Sequence, residues 1–473
     1  MPKHTEGVQI GTQAANTRQE QCLLWPLVAL ALVVFISRVP FVSNGYGVDA
    51  DCYRVVQVGR KLLATGVYEP SRFPGYPIQE IATAYVLQFG PAAANAISAF
   101  LSAVAAVYFA LFVRELGVKW WLAGGAALAF IPAIYVQSVS TSDLAWALGF
   151  ACGGLYYGVR GKPIAAGIMI GLATGCRLTM ITAVLPISVL LWPRVPKASR
   201  IKSIVLLSVV SGVVAAIAFL PLFTRYGLDF ISYNNHGRPP LSLAIRRATT
   251  NCWGKVGFVA IIIGSIVALC RLARGVATLD EHPKRFPSDF LALGLGLALN
   301  IAPFIQIPYE TGYLTPAMPY FAALLFLLLS SRQCLFVCLM LLVSSFVDFG
   351  KTGFRPGLIF DDAAVRKANG RHIDMVIKEA KRLPPHSSIL AGWWQPMILA
   401  TLPLGHQEPE FIFRIHEADV TLLEARGRKL YYLADVLEWN KRYGKVDMTK
   451  HGAVVLNVPS AYPQQTPSTA SPQ

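Results

Sequence analysis

Two aspartates one residue apart, in Gly47-Val48-Asp49-Ala50-Asp51-Cys52-Tyr53, stand at the head of an amphipathic repeat. Cys52, Val55, Val56, Gly59, Leu62 and Leu63 recur at helical spacing, while Arg54, Gln57, Arg60 and Lys61 take the other face. An aspartate at a helix start caps backbone N–H groups and complements the dipole. The same field keeps the carboxylate ionised and available as a base, so capping and proton abstraction are both open for each residue. Gly66 ends the repeat, and the corner Arg72-Phe73-Pro74-Gly75-Tyr76-Pro77 follows before the next apolar run. The pattern reads as a helix lying in a membrane interface rather than crossing it.

The string Asp49, Tyr53, Leu62-Leu63-Ala64-Thr65-Gly66, then Arg72 through Pro77, resembles the first external loop of the GT-C superfamily of polytopic membrane glycosyltransferases. Members of that group use polyprenyl-phosphate-linked sugars and include protein mannosyltransferases and lipid A aminoarabinose transferases. Downstream, Glu310-Thr311-Gly312-Tyr313-Leu314-Thr315-Pro316-Ala317-Met318-Pro319 is similar to the segment that opens a late membrane helix in the family, with Gly312 where an arginine is usual. The resemblance spans roughly residues 20 to 350. It implies inverting transfer of a sugar from a polyprenyl-phosphate donor to a lipid, glycan or protein acceptor. Asp49, four residues before Tyr53, has the spacing of the family's catalytic acid and is the first choice as base. Asp51 is the alternative, or a metal or substrate contact.

Such a transfer needs a base for the acceptor proton and cations for the departing phosphate, and no general acid. Tyr53, Arg72, Tyr76 and Tyr313 lie in the matching motifs and are candidate substrate contacts. Asp143, in Ser140-Thr141-Ser142-Asp143, is either a second acid of the site or the cap of the following apolar segment. Arg177 interrupts two short apolar segments, and an intramembrane arginine is costly unless it faces a polar cavity. His236 and Arg238, in the polar, turn-rich run Tyr233 to Pro240, and Glu310, ahead of Tyr313, are further candidate contacts to donor or acceptor. Trp393-Trp394 is either a sugar-stacking platform or part of a core or membrane belt. No cofactor is specified; a divalent metal is compatible with Asp49 and Asp143 as ligands. The rival reading is a non-catalytic polyprenyl-lipid-binding protein or lipid carrier, although the internal repeat common in transporters is not evident.

The elements that must position these residues belong to a membrane protein. In 473 residues, 54% are hydrophobic, only 14% are charged and the mean hydropathy is +0.48. The net charge of +16 is spread through loops without a basic tract, which argues against nucleic acid and for anionic membrane lipids. External cations gather in two groups, Arg54, Arg60, Lys61 and Arg72, then Arg225, Arg238, Arg246, Arg247 and Lys255, where a lipid phosphate would supply counter-charge. The eight cysteines show no CxxC spacing; Cys52 and Cys252 are the external pair able to join.

The fold class expected is mainly α: a polytopic helical bundle with a small C-terminal extracytoplasmic α/β domain. Residues 1–21 read as a disordered cytoplasmic N-terminus, and 22–42 as a retained signal anchor. Ten further apolar segments follow, near 81–112, 120–138, 142–159, 163–176, 178–192, 203–223, 256–272, 289–306, 313–330 and 333–349, giving about eleven. The pair 163–176 and 178–192 reads as broken at Gly175-Cys176-Arg177. About fifteen basic residues fall on the side of the N-terminus and about ten on the other, which places the N-terminus inside. Residues 22–349 form the membrane domain in this reading. Residues 350–459 are expected to form the α/β domain, with a helix over 363–382, another from Gln395, and strands at 388–392, 411–415, 429–433 and 453–458. Residues 460–473 read as a disordered tail. The expected setting is a bacterial inner or plasma membrane, with the site and the α/β domain outside.

Overall fold

The computed structural model describes residues 23–231, 239–274, 287–308, 310–350, 353–406, 408–413, 415–436, 446–448 and 450–459. Helix α1 (Leu23–Phe41) enters the bundle and delivers the loop that carries Asp49. Helix α2 (Ala50–Thr65) starts where Asp49, in extended conformation, accepts the Asp51 N–H at 2.9 Å through Oδ1. It stops at Gly66, whose φ of 69° lets its N–H reach Leu62 O at 2.8 Å. Both ends are local events, set by residues in contact along the chain.

The bundle continues through α3 (Pro77–Ala84), α4 (Gly90–Glu115), α5 (Trp121–Ala129), α6 (Pro132–Ser138), α7 (Asp143–Val159), α8 (Pro163–Cys176) and α9 (Val184–Leu191). It is completed by α10 (Arg200–Tyr226), α11 (Leu241–Ala248), α12 (Thr250–Ala273), α13 (Pro287–Gln306), α14 (Met318–Leu328) and α15 (Ser331–Ser344). Among the described residues, six helices are long and apolar enough to cross a membrane, or seven when the bent pair α5 and α6 counts as one span. That pair, expected as one straight segment, bends by 66° ahead of Pro132, which cannot continue the preceding helix and opens the next. The 163–192 stretch is broken at Arg177, extended at φ −158° and ψ 111°. The apolar run expected to 349 ends early as a helix: α15 closes at Ser344, and Val347–Gly350 is strand β1, paired antiparallel with β2 (Gly353–Pro356).

Beyond this hairpin come α16 (Leu358–Ala380), β3 (Ser387–Leu390), α17 (Gln395–Thr401), β4 (Glu410–Ile412), α18 (Glu417–Ala425), β5 (Lys429–Tyr432) and β6 (Val454–Val455). The four strands pair in parallel in the order β4-β3-β5-β6, and β3, buried along its whole length, is central. The apolar core of this α/β unit takes in Ile389, Trp394, Met397 and Ile398 together with Ala50, Cys52, Tyr53 and Val56 of α2. Gln57 donates to Pro396 O at 2.7 Å and Arg60 to Leu402 O at 2.9 Å.

Much of the apolar stripe of α2 is covered by protein. Helical periodicity records that a face is apolar and is silent on whether lipid or a folded unit covers it. The same contact puts the α/β unit on the side of the chain where Asp49 lies. The pairing of Cys52 with Cys252 is also corrected: both are buried free thiols, one in this shared core and the other in the core of the bundle.

Candidate functional site

The loop leading to α2 is held from both sides. Asn95 of α4 donates to Val42 O and Gly45 O, each at 2.8 Å, and Thr141 ties the same strip through its Oγ1 to Asn95 Oδ1 and its N–H to Tyr46 O. Gly47 is required here, since a Cβ would stand 2.5 Å from Cys52 Sγ. Asp49 thus emerges from a fixed turn, and so does Asp51 one residue into the helix.

Glu310 arrives from the far end of the membrane region as the residue before the 3₁₀ turn Thr311–Ala317. One carboxylate oxygen from each of Asp49, Asp51 and Glu310 lies within 4.8 Å of the others, and all three side chains keep part of their surface open. Asp51 is committed on both oxygens: Oδ1 accepts from Arg54 at 2.7 Å, and Oδ2 pairs with Arg72. Arg72 in turn donates through Nε to Tyr76 OH at 2.7 Å, with its guanidinium 5.2 Å from that ring.

On the neighbouring wall Arg177 donates to Asp143 Oδ2 at 2.8 Å and lies 4.7 Å from the centre of the Tyr313 ring. The cap of α7 is Ser142, whose Oγ accepts the Leu144 N–H at 3.3 Å, so the Asp143 carboxylate is left for Arg177. At Gly312 a Cβ would come within 2.5 Å of Leu144 Cδ1, so the space an arginine would need there is filled.

Burial raises the Asp49 carboxyl above its ordinary value, against the pull of Arg72 and Arg54. Burial also raises Glu310, reinforced by the Asp49 charge and opposed by Arg72 and Arg177. Two neighbouring carboxyls both pushed upward favour holding a proton between them where isolated carboxylates would be ionised.

The other candidates fall in different surroundings. Tyr53 is 4% exposed in the core shared with the α/β unit, with its ring edge against Tyr46. Trp394 is buried against His372, whereas Trp393 keeps 38% exposure with the Arg54 guanidinium 5.6 Å from its ring. His236 and Arg238 lie outside the described residues. Several cations expected to await a lipid phosphate are answered by the chain itself. Lys61 and Arg225 both pair with Glu69, Arg247 donates to Pro308 O at 3.1 Å, and Lys255 reaches Phe349 O. Sequence spacing does not show which acids fold back onto which bases. Glu80 was not singled out from sequence; the signal available was an acid at the very edge of an apolar run, three residues after Pro77.

No family model and no curated protein sequence matches the chain. Among solved structures, the apo crystal structure of ArnT from Cupriavidus metallidurans is similar, with a TM-score of 0.52 and 14% identity over 83% of this chain and 87% of that one. ArnT from the same organism bound to undecaprenyl phosphate gives a TM-score of 0.51 and 14% identity over 89% and 92%. At this identity the likeness shows the fold alone: the chain shares the polytopic helical architecture of these ArnT structures.

Proposed function

We propose that this chain is a membrane glycosyltransferase that moves a sugar from a polyprenyl-phosphate donor to a hydroxyl of a lipid, glycan or protein acceptor, on the extracytoplasmic side and with inversion. The observation that carries the reading is the convergence of Asp49, Asp51 and Glu310 beside Arg72, with the Arg177–Asp143 pair on the next wall. A base and cations for a phosphate are what the chemistry requires, and the ArnT structure with undecaprenyl phosphate supports the donor class.

In this reading Asp49 takes the acceptor proton, because both Asp51 oxygens are held by arginines while Asp49 accepts the Asp51 N–H through Oδ1 and clusters with Glu310. The acceptor oxygen attacks C1 of the sugar from the face opposite the phosphate. The C1–O bond breaks, its electron pair leaves with the phosphate, and Arg72 and Arg177 take up the charge. A leaving phosphate needs no proton, so no general acid is assigned. Tyr76, Asp143, Glu310 and Tyr313 are assigned as substrate contacts, and so are His236 and Arg238, which lie outside the described residues.

A hard divalent cation suits the three converging carboxylates. Asp49, Asp51 and Glu310 would hold it, Asp51 by giving up an arginine contact, and Asp143 lies outside that group. Such an ion would supply charge stabilisation for the phosphate.

Purified protein in nanodiscs, given polyprenyl-phosphate sugars and membrane extract, is expected to release free polyprenyl phosphate together with a product heavier by one sugar, read by mass spectrometry. Lipid binding without release of polyprenyl phosphate would favour the carrier.

A further inference from the structure

One buried carboxylate takes no part in the steps above. Glu80, in α3, is 0% exposed, and both its oxygens turn back onto the loop that precedes the helix. Oε1 accepts the Ser71 N–H at 3.1 Å, while Oε2 accepts the Tyr68 hydroxyl and the Tyr76 N–H, the latter at 3.5 Å. Hydroxyl and backbone N–H donors hold it and, among the described residues, no lysine or arginine pairs with it. Burying a carboxylate without a cation is expensive, and an apolar side chain would fill the same space at no such cost.

What Glu80 grips gives this buried acid a use. Ser71 is the residue before Arg72, and Tyr76 is the residue whose hydroxyl receives the Arg72 Nε–H. The intervening turn is closed by Gly75 at φ 87°, where a Cβ would stand 2.8 Å from Leu222 Cδ1 of α10. The backbone on one side of Arg72 and its aromatic partner on the other are thus tied to a single carboxylate. We infer that Glu80 is a positioning residue, which fixes Arg72 and Tyr76 as a unit so that the guanidinium meets the donor phosphate. The inference rests on the proposed function for the phosphate, and on geometry alone for the clamp.

The test uses the full chain in nanodiscs and undecaprenyl phosphate as the probe, with binding followed by native mass spectrometry and melting temperature measured alongside. Glu80→Gln keeps the volume and removes the charge. It is expected to weaken binding on the order of tenfold, as the loss of a charge-assisted contact does. Arg72→Gln should weaken binding at least as much, and the double variant no more than Arg72→Gln alone, because Glu80 acts through Arg72.

Unchanged binding in Glu80→Gln, whatever its melting temperature, with a loss in Arg72→Gln, overturns the positioning role and leaves the phosphate reading standing. Losses that multiply in the double variant overturn action through Arg72. Unchanged binding in every variant removes both the inference and the assigned role of Arg72. Tyr68→Phe removes one donor and leaves the carboxylate, and covers the case in which Glu80→Gln does not fold. It should give a smaller loss that likewise disappears in the Arg72→Gln background, and a loss that persists there overturns the inference.

Discussion

The chain buries arginine against carboxylate in two quite different ways. Arg194, near the end of α9, meets Asp289 of α13 through two parallel contacts at 2.7 and 2.9 Å and also donates to Leu190 O, with the aspartate side chain 1% exposed. Acid and base meet there in a planar fork, which is how a buried ion pair limits its desolvation cost. Around Asp49 the balance is broken: Asp49, Asp51, Asp143 and Glu310 gather near Arg54, Arg72 and Arg177, and the three carboxylates that cluster keep part of their surface open. A surplus acid that stays accessible contributes little to stability and much to proton transfer. The first arrangement holds two helices together, and the second keeps a reactive group available.

The comparison is broken most severely at the closed pair. Asp289→Asn removes the negative charge from this buried fork and is expected to cost about 3–5 kcal/mol of stability, with activity falling only in step with folded protein. Thermal unfolding and specific activity per folded molecule, measured together, check this. At the open cluster the pattern should reverse. Arg177→Gln is expected to reduce transfer on the order of 10²-fold beyond any loss of abundance. Equal losses of activity and folded protein would place the Asp143–Arg177 pair in the same structural class as Arg194–Asp289.

A pH profile sharpens the contrast further. Burial raises both Asp49 and Glu310, so the acid limb of kcat/KM should lie above the ordinary carboxylate range, with transfer lost as pH falls through it. The sign for stability is opposite. Between the ordinary and the raised values the folded chain holds protons that the unfolded chain has released, so the contribution of these groups to stability declines as pH rises through that window. Glu310→Gln, which mimics the protonated form, should therefore raise the melting temperature slightly at neutral pH. The gain should vanish below the ordinary carboxylate pKa.

Much of this was legible from sequence where the determinants are local. Asp49 and Gly66 bound α2 because a cap and a left-handed glycine act within one turn. The apolar segments stand out because membrane helices advertise their length and composition. Breaks were harder: Arg177 signalled one, but the 66° bend before Pro132 lay inside a uniformly apolar run, where hydropathy averages it away. Pairings across the chain were the least visible. Asp51 with Arg72 depends on how a glycine corner folds, and the meeting of Asp49 with Glu310 depends on two loops brought together by the whole bundle. The resemblance to GT-C loops put these residues on one list, and the structure puts three carboxylates within 4.8 Å. The covering of α2 by α17 was hidden for a different reason, since lipid and protein satisfy an apolar face equally well.

The measurement that bears most directly on the open cluster is transfer by Asp49→Asn compared with its binding of undecaprenyl phosphate. Asparagine caps about as well as aspartate, so the helix and the lipid site should persist while the basicity is removed. The account predicts normal accumulation, normal lipid binding and transfer reduced by about 10²- to 10⁴-fold. Full transfer in Asp49→Asn with its loss in Asp51→Asn would move the base by two residues. Full transfer in both single variants and in the double variant would contradict the carboxylate-base mechanism altogether.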